Sequence, residues 1–455
     1  MKQTTRREFL GRAAATAPAI GVGWAQRSPN ETINIAVVGF RSRGRAHYHA
    51  YAKIPNVRIA WLCDVDERLF PEGVAEVEQL TGYRPKTEYD FRKLIEDKDL
   101  DAVSIATPDH WHALQTVWAC QADKDVYVEK PVSYTIEEGR KMVQAARKYQ
   151  RIVQAGLNRR SRLPDRAAMQ FLRSGEFGGV YRAKAFLYKG RGSIGRHKES
   201  SIPPGVHWDI YLGPAPYRPF TISRFHYGWH FFWDTSTSDI GNSGVHELDV
   251  ARWGMKKDVH PVKIHSFGGY YQWDSDQETP NVQSASFEYE DGTILEVELT
   301  NLYTPPFDGI RSTGNVFYTD RGYLSSAKGW HAVIGRFTPR SRPPRPSGID
   351  ESIPNASFPR REYLPGPEIP PVDEPEENHF ENFIRCVRSR KREDLHAEIL
   401  EGHKSTVLAH LANISYRTGR KLAFDPQTET FPGDDEANSY LTRKYREPYV
   451  MPGEV

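Results

Sequence analysis

The sequence predicts an α/β protein of two domains: a parallel sheet flanked by helices, then an α+β domain with an open, mostly antiparallel sheet. Two observations carry this prediction. Short β-branched runs alternate with helical stretches in the first third of the chain, and strand-like runs cluster in the second half, two of them separated by Asp291-Gly292. An Asp-Gly pair between such runs is a hairpin signal. A chain of 455 residues suits two domains.

The first strand-turn-helix unit carries a glycine-rich turn. The β-branched run Ile33–Val38 is typical of a buried strand, and a helical stretch begins near Arg45. Between them stands Gly39-Phe40-Arg41-Ser42-Arg43-Gly44, which is G-x-G-x-x-G with Arg41 in place of the middle glycine. The first glycine makes the tight turn and the third lets helix and strand pack closely. The unit predicts a Rossmann dinucleotide-binding domain in which Arg41 either widens the loop or itself meets a phosphate.

The second strand, Val57–Cys63, ends in Asp64, where the ribose-binding acid of such a domain belongs. A carboxylate there accepts hydrogen bonds from ribose hydroxyls and repels a 2′-phosphate, which favours NAD over NADP. The alternative interpretation is that Asp64 only caps a helix beginning near Asp66. Arg41 and Arg43 are near enough in sequence to keep NADP as an alternative cofactor.

A lysine follows a later strand of the predicted parallel sheet. The apolar run Asp125–Val128 ends in Glu129-Lys130-Pro131. Ligands bind outside the carboxyl ends of strands in such a sheet, so Lys130 is expected beside the cofactor, where its amine hydrogen-bonds a substrate hydroxyl. Glu129 would orient Lys130 or close the cofactor pocket. Taken alone, the tripeptide is more typical of a surface turn.

The second half contributes a candidate base. Gly241-Asn242-Ser243-Gly244 is a loop that opens a predicted helix, Val245–Trp253. His246 stands in its first turn, where the positive helix end disfavours the imidazolium, so a neutral base is expected at pH 7. The alternative is a histidine packed against Trp253 or bonded to Asp249.

Two further segments supply candidate substrate residues. Phe225–Asp234 is dense in rings and imidazoles, so His226 or His230 would bind hydroxyls while Trp229 or Trp233 forms a platform. A core location is equally compatible with these rings. Arg159 is expected at the cleft between the domains. The histidine spacing lacks a metal-binding signature, and no metal is expected.

These motifs together resemble the glucose-fructose oxidoreductase / inositol dehydrogenase / MocA (Gfo/Idh/MocA) family of NAD(P)-dependent sugar and polyol oxidoreductases. The resemblance extends from about residue 31 to the C terminus and rests on the glycine turn, Asp64, Ala106-Thr107-Pro108 with His112, Glu129-Lys130-Pro131 and Gly241 to Asp249. It implies three groups of site residues: catalytic Lys130, Asn242 and His246; cofactor-binding Gly39 to Gly44, Asp64, Thr107, Pro108, His112, Glu129 and Lys130; substrate-binding Lys130, Arg159, His226, Trp229, His230, Asn242 and His246.

One departure from the family concerns the charge beside the histidine. The family often has Asp-x-x-x-His, and here the aspartate position is Asn242. An amide can hold a substrate hydroxyl or orient His246, but it cannot stabilise an imidazolium by charge. The expected mechanism therefore depends on Lys130 and His246.

The N terminus predicts export. Thr4-Thr5-Arg6-Arg7-Glu8-Phe9-Leu10 is a twin-arginine pattern, and the mildly apolar stretch Ala13–Trp24 is too short for a membrane span. Cleavage after about Ala25 is expected, with no membrane anchor left. This route carries folded proteins, so a periplasmic or secreted protein loaded with cofactor in the cytoplasm is expected. The odd count of three cysteines agrees with folding in a reducing compartment.

Composition excludes one partner class. A net charge of +2 without a long basic run gives no field for nucleic acid. The expected partners are a small carbohydrate and further copies of the chain, as a dimer or tetramer. Free NAD is scarce outside the cytoplasm, so tight binding and internal recycling of the cofactor are expected. Three functions stay open: sugar or polyol oxidation, redox-neutral glycoside cleavage by oxidation and elimination, and non-catalytic sugar binding.

The expected domain boundaries follow from these motifs. They are residues 1–29 for signal and linker, 30–157 for the Rossmann domain, 158–375 for the α+β substrate and oligomerisation domain, 376–420 for helices packing back toward the Rossmann domain, and 421–455 for the tail. The proline- and arginine-rich segment from Arg340 to Pro375 is expected to be an irregular loop or arm.

Overall fold

The computed structural model describes residues 31–303, 309–338 and 360–455. The predicted export motif and cleavage region lie outside the described residues, as do residues 339–359 of the predicted irregular segment.

The first sheet has six parallel strands in the order β3-β2-β1-β4-β5-β6. They are β1 Ile33–Val38, β2 Val57–Cys63, β3 Lys86–Glu88, β4 Ala102–Ile105, β5 Asp125–Val128 and β6 Val153–Ala155. The chain starts in the middle of the sheet, builds outward to one edge and then returns to build the other half. This order is that of the doubly wound dinucleotide-binding fold, so the predicted Rossmann domain is confirmed.

The second sheet has nine strands in the order β14-β13-β12-β11-β7-β10-β9-β8-β15. They are β7 Val180–Tyr188, β8 Lys263–Gly269, β9 Val282–Glu288, β10 Ile294–Thr300, β11 Thr313–Thr319, β12 Gly322–Ser325, β13 His331–Thr338, β14 Arg360–Pro365 and β15 Leu422–Ala423. Only the pair β7 and β10 is parallel, so the predicted mostly antiparallel sheet is confirmed.

Twelve α-helices lie in the described part of the chain. They are α1 Arg43–Tyr51, α2 Phe70–Thr81, α3 Phe91–Leu94, α4 Asp109–Gln121, α5 Ile136–Lys148, α6 Leu163–Ser174, α7 Trp208–Leu212, α8 Ser238–Asn242, α9 Gly244–Gly254, α10 His379–Ser389, α11 Ile399–Thr418 and α12 Asp435–Ser439. Short 3₁₀ turns occupy Glu67–Leu69, Asn158–Ser161, Ile222–Arg224, His226–Phe231 and Arg392–Asp394.

Two local predictions are wrong. The segment expected to be irregular contains β14, which pairs antiparallel with β13, for example Ile334 opposite Leu364. Its proline and arginine content hides the short alternation of that strand. The first helix begins at Arg43 and not near Arg45, because the last residues of the glycine motif already form its first turn.

The hydrophobic cores join the two sheets through the late helices. Phe383, Ile384 and Val387 of α10 pack in one core with Ile33 and Ile35 of β1. The helix α11 lies against both domains, since Ala155 of β6 donates its backbone N–H to Ala397 at 2.8 Å just before α11 begins. These helices therefore fix the position of the second sheet on the first domain.

The described helices include none whose length and apolar character together would suffice to cross a bilayer. All three cysteines, Cys63, Cys120 and Cys386, are buried and free, as expected of thiols that serve as small hydrophobic side chains.

Candidate active site

The glycine turn after β1 is tight because two glycines meet backbone there. Gly39 has φ of 77°, and a Cβ on it would lie 2.8 Å from the carbonyl oxygen of Ala106. A Cβ on Gly44 would collide with the carbonyl oxygen of Gly39. The first and third glycines of the motif thus have the two roles that the sequence predicts.

The other motif residues divide between the cleft and the core. Arg41, Ser42 and Arg43 line a cleft above the turn. The ring of Phe40 is buried and stacks on Phe70 at 6.0 Å between centroids. Phe40 therefore packs in the core, and its side chain is no part of the cleft lining.

Arg43 is bound to the residue before the candidate catalytic lysine. Its Nε donates to Glu129 Oε1 at 2.7 Å, and His47 Nε2 lies 3.1 Å from the same oxygen. Arg43 and His47 outweigh burial and hold the pKa of Glu129 well below its usual range. The carboxylate of Glu129 thus fixes the cofactor turn and does not contact the Lys130 amine.

Asp64 is half-buried just after the end of β2. One carboxylate oxygen accepts from the Phe40 N–H at 3.1 Å and the other from the Asp66 N–H at 3.1 Å. Burial raises the pKa of Asp64 to about 7, although these two donors act in the opposite direction. The capping role is taken by Asp66, which accepts from the Arg68 N–H at 3.2 Å, so Asp64 stays free to face the cleft, which it lines.

His112 ties the two ligand-binding turns together. Its Nδ1 lies 2.7 Å from the Pro131 carbonyl oxygen and its Nε2 lies 2.7 Å from that of Thr107. Thr107, Pro108 and His112 all line the cleft. Because His112 contacts the turns after β4 and β5, it fixes the turn that carries Lys130 against the turn that carries Thr107.

Lys130 crosses from the first domain to the second. Its Nζ donates to the backbone oxygen of Asn242 at 2.5 Å and to the Asn242 side-chain oxygen at 3.4 Å. Burial lowers the pKa of Lys130 against the opposing charges of Glu129 and Asp109. The predicted strand-end lysine thus lines the cleft and contacts Asn242, the last residue of α8, four residues before His246.

His246 stands in the first turn of α9 without a hydrogen-bond partner. Its Nδ1 is buried and unpaired, and the ring as a whole is partly exposed. Burial lowers the pKa of His246 well below its usual range, and the positive charge of Lys130 adds to this effect. Asp249 accepts from Arg160 at 2.8 Å and does not bond His246. The direction of this pKa shift favours the neutral imidazole expected from the sequence, with burial as its first cause.

Two cavities meet at the junction of α8 and α9. The first, the cofactor cleft, has a volume of about 260 Å³ and is lined by the glycine turn, Asp64, Lys130 and Asn242. The second, the His246 cavity, has a volume of about 590 Å³ and is lined by His246, Ser243 and Arg159. Since Asn242 and Ser243 are adjacent in the chain, the linings of the two cavities adjoin at this junction.

The structure divides the predicted substrate residues between these cavities. Arg159 lines the His246 cavity, whereas His226, Trp229 and His230 line the cofactor cleft. His226 Nε2 lies 2.8 Å from Asp66 Oδ2, and Trp229 stacks on His230 at 3.6 Å between centroids. The aromatic segment therefore covers the cleft and lies apart from His246.

Two acidic residues near the site, Asp109 and Asp239, were not predicted as site residues from the sequence. Asp109 is buried, accepts from the Thr237 hydroxyl at 2.7 Å, and has its pKa raised to about 7 by burial. Asp239 lies one helical turn before Asn242, pairs with Arg191 at 2.7 Å and lies 3.4 Å from the Asn242 amide nitrogen. Position 242 has no carboxylate, but Asp239 supplies one close to it. The Asp-x-x-Asn spacing at the start of α8 was the available signal.

A cluster of metal-ligand types lies elsewhere among the described residues. His260 and His403 place their Nε2 atoms 2.9 and 2.7 Å from Glu429 Oε1. Arg140 Nε donates to the other oxygen at 2.7 Å. Distances of this length are those of hydrogen bonds, so the cluster fixes the chain after β15 to α5 and α11.

Comparison with known proteins identifies both domains. Residues 33–157 match the Gfo/Idh/MocA family model described as "Oxidoreductase family, NAD-binding Rossmann fold". Residues 180–325 and 367–451 match the companion model described as "Oxidoreductase family, C-terminal alpha/beta domain". The two models together span most of the described chain.

Individual relatives are more distant. A levoglucosan dehydrogenase of Pseudarthrobacter phenanthrenivorans is 30% identical over 156 residues, 33% of this chain and 39% of that protein. A glycosyl hydrolase family 109 protein of Shewanella woodyi is 23% identical over 186 residues, 39% of each chain. The matches therefore span about two fifths of these relatives.

A solved structure shows the same fold over nearly its whole length. The aldose-aldose oxidoreductase from Caulobacter crescentus, complexed with glycerol, superposes with a TM-score of 0.61 at 16% identity, covering 87% of this chain and 100% of that one.

Proposed function

The chain belongs to the Gfo/Idh/MocA oxidoreductase family, and we propose that it is an exported NAD(P)-dependent enzyme that oxidises a CH–OH group of a sugar or polyol. The observation that carries the proposal is the contact of Lys130 with Asn242 at 2.5 Å, four residues before His246. It brings a strand-end amine and a helix-start imidazole to the junction of the cofactor cleft and the His246 cavity.

The residues of the cofactor cleft fit a nicotinamide dinucleotide. Two glycines leave room for a close approach at the turn, and Asp64 directs a carboxylate into the cleft. Asp64 supports NAD over NADP because it would repel a 2′-phosphate. Arg43 is already paired with Glu129, which leaves Arg41 as the arginine of the turn able to meet a phosphate.

The chemistry divides between the bound cofactor and the protein. NAD bound in the cleft supplies a hydride acceptor. His246, neutral at pH 7, removes the proton of the reacting hydroxyl, as a general base must. Lys130 donates to the developing alkoxide, and a hydrogen bond to a charged group contributes about 1.5–3 kcal/mol. Asn242 accepts hydrogen bonds from the Lys130 amine and so orients it.

Tight retention of the cofactor is supported by the cover over the cleft. Residues 206–231, the covering segment, contact the loop after β2: His207 N–H donates to the Val65 oxygen at 2.8 Å, and His226 meets Asp66. Residues 443–451, the tail segment, hold this cover: Arg446 Nε donates to the oxygens of Gly213 and Ala215 at 3.0 and 3.2 Å. Release of the dinucleotide would require these contacts to open.

Export is supported by the twin-arginine pattern around Arg6-Arg7 and by the three free, buried cysteines. An exported dehydrogenase meets little free NAD. We therefore infer that the cofactor is loaded before export and is reset by a second substrate within the cleft. A homo-oligomer is part of this proposal; mass photometry would test it.

A second candidate function is redox-neutral glycoside cleavage by oxidation and elimination. It is favoured by the similarity to the Shewanella woodyi glycosyl hydrolase family 109 protein. The reaction needs a second base beside His246, and the carboxylates in the described lining of the His246 cavity, Asp165 and Glu247, are both paired with Arg159. Net oxidation is therefore the preferred function. Release of an aglycone from an aryl glycoside, without net reduction of NAD, would favour the second candidate.

The test of the leading proposal starts with the purified protein. Mass spectrometry of the nucleotide that co-purifies, followed by a sugar and polyol panel monitored at 340 nm, should find about one bound NAD and its reduction by a substrate. A protein that binds no dinucleotide and gives no absorbance change with any sugar would instead support a non-catalytic sugar-binding role.

A further inference from the structure

The His246 cavity has an excess of basic side chains. Its described lining contains four of them against two acidic ones; the basic residues are Arg159, Arg162, Lys189 and Arg311, and the acidic ones are Asp165 and Glu247. A cavity meant for a neutral sugar has no need of such an excess, since hydroxyls are bound by neutral donors and acceptors as well.

Arg159 occupies both acids. Its Nη2 pairs with Asp165 at 2.6 Å and its Nη1 pairs with Glu247. Asp165 also accepts from Trp330 Nε1 at 2.8 Å, and Arg162 lies 3.6 Å from it. The acids are therefore paired with Arg159, and in the described lining neither forms a direct ion pair with Lys189 or Arg311, although the charge of Glu247 acts on Lys189 at longer range.

Lys189 is half-buried beside His246's helix. Its Nζ makes one hydrogen bond, to the Ser243 hydroxyl at 3.3 Å. Burial and the charge of Arg191 lower the pKa of Lys189 against the opposing charges of Asp239 and Glu247. An anion that enters the cavity would further favour the cationic form of Lys189.

Arg311 lies opposite Lys189 across two paired strands. Thr313 of β11 is the partner of Leu187 in β7, and the Tyr188 N–H donates to the Ser312 oxygen at 2.6 Å, so the pairing continues beyond β11. Continued by two residues, this register would place Arg311 beside Lys189, and both residues line the His246 cavity. Like charges directly opposite each other destabilise a sheet. Arg311 is exposed, and its guanidinium makes no side-chain hydrogen bond or ion pair with the described residues, so it is available to a ligand.

We propose that the His246 cavity binds an anionic sugar, one carrying a carboxylate or a phosphate ester, with the anionic group between Lys189 and Arg311. The proposal rests on the proposed function and specifies its substrate class. An anion there relieves the repulsion between the two cations, and the fork of Arg311 offers two parallel donors to two oxygens. The sugar ring then extends toward Ser243 and His246, with the reacting hydroxyl at the junction with the cofactor cleft.

The test compares matched pairs of ligands on the protein with its bound nucleotide. Glucuronate is compared with glucose, galacturonate with galactose, gluconate with glucitol, and glucose 6-phosphate with glucose. Titration calorimetry measures binding and absorbance at 340 nm measures oxidation. At least one anionic ligand should bind about tenfold or more tightly than its neutral partner, because a charged hydrogen bond contributes about that much. The pair that shows the preference identifies carboxylate or phosphate.

Variants assign the preference to the two cations. Arg311→Gln and Lys189→Met should each bring the ratio of affinities close to one, and Arg311→Lys should keep most of it. Arg336→Gln removes an exposed arginine of β13 outside the cavity lining and should leave the ratio unchanged. The preference should also fall between low salt and 0.5 M salt.

The outcomes separate this inference from the proposed function. Anion binding that the variants abolish, without any absorbance change, keeps the anion site and rejects the dehydrogenase. Oxidation of neutral sugars, combined with anionic ligands that bind equally well to wild type and Arg311→Gln, keeps the dehydrogenase and rejects the anion site. Binding of no anionic ligand in the panel also rejects the site.

Discussion

Lys130 connects the two halves of the candidate site. It is half-buried just after β5, and its ammonium donates to the Asn242 backbone oxygen across the domain boundary. Its partner residue Glu129 binds Arg43 and His47 instead of the amine. The ammonium is therefore held by the second domain and directed to the place where a hydroxyl would react.

Replacement of the Lys130 amine should slow catalysis while leaving the nucleotide bound. In Lys130→Met the donor to the alkoxide is lost, so the turnover number should fall about tenfold to hundredfold or more. The glycine turn and Asp64 are untouched, so the nucleotide content should match that of wild type. Lys53→Met, at an exposed position outside the cleft lining, is the control. Unchanged turnover in Lys130→Met would remove the lysine from the mechanism.

The pH dependence of kcat/KM follows from the same two residues. The base His246 must be neutral, and burial with the Lys130 charge lowers its pKa from the usual 6.5, so the acid limb that belongs to His246 should have its midpoint below pH 6.5. Burial raises the pKa of Asp64 and of Asp109 to about 7, so a separate limb near pH 7 would belong to these carboxyl groups. The cation Lys130 has its pKa lowered from 10.5 by burial, so an alkaline decline should begin below pH 10.5. The residual activity of His246→Ala should lack the limb below pH 6.5, and a limb there that persists in this variant would exclude His246 as the base.

For single residues, the sequence predicts the candidate chemical groups better than it predicts which side chains contact each other. Lys130 and His246 follow from strand-end and helix-start positions, which local pattern reveals. The roles of Glu129 and of Phe40 do not, because one depends on Arg43 and the other on Phe70 in a distant helix. The role of Asp239 was not predicted, because its pairing with Arg191 joins segments far apart in the chain.

At the scale of elements, the turn between β1 and α1 determines whether a dinucleotide fits. The carbonyl oxygen of Gly39 packs where a Cβ of residue 44 would stand. The motif tolerates Arg41 because its side chain extends into the cleft, whereas the first and third positions face backbone.

Gly44→Ala should therefore displace the turn and lower the nucleotide content. We expect at least a tenfold loss of NAD affinity, because a backbone shift at this turn removes the close approach that phosphate binding needs. Isothermal titration of stripped protein measures the affinity. Gly179→Ala adds the same methyl group where no atom lies within 4 Å and should bind NAD as wild type does. Equal affinities for both variants would mean that the turn does not hold the cofactor.

The strands and helices themselves were largely predictable, with a clear exception. Alternation and glycine ends gave β7 and the end of α11 at Gly419, whose φ is 69°. The edge strand β14 was missed because proline and arginine flank a run of only six residues, Arg360–Pro365. Its identity depends on pairing with β13, a tertiary contact that local pattern does not contain.

At the scale of the whole molecule, the cofactor cleft is closed from three sides. The first domain forms its base, the covering segment lies above it, and the tail segment holds that cover. Tyr449 packs edge-on against Trp111 at 5.4 Å between centroids and bonds Asp209 at 3.1 Å. The proposed retention of the nucleotide would thus depend on parts that are distant in sequence, so the sequence alone suggested it only through the export signal.

Loosening this closure should release the cofactor. Arg446→Ala removes the donors to Gly213, Ala215 and Asp209, so the rate of NAD dissociation should rise about tenfold or more while folding is kept by Tyr449 and Met451, which are buried in the core. Exchange of bound NAD for a labelled analogue measures the rate. Arg420→Ala, which removes a surface pair with Asp434 and Glu436, is the control. Similar slow rates in both variants would show that the tail does not retain the cofactor.

The most direct measurement is a crystal structure of the protein with its nucleotide and a bound sugar or sugar acid. We expect Lys130 Nζ and His246 Nε2 both within about 3.2 Å of one hydroxyl oxygen, with that carbon facing the nicotinamide. If the two nitrogens face different ligands, or if the nicotinamide lies away from the junction of the two cavities, the proposed division of roles is contradicted.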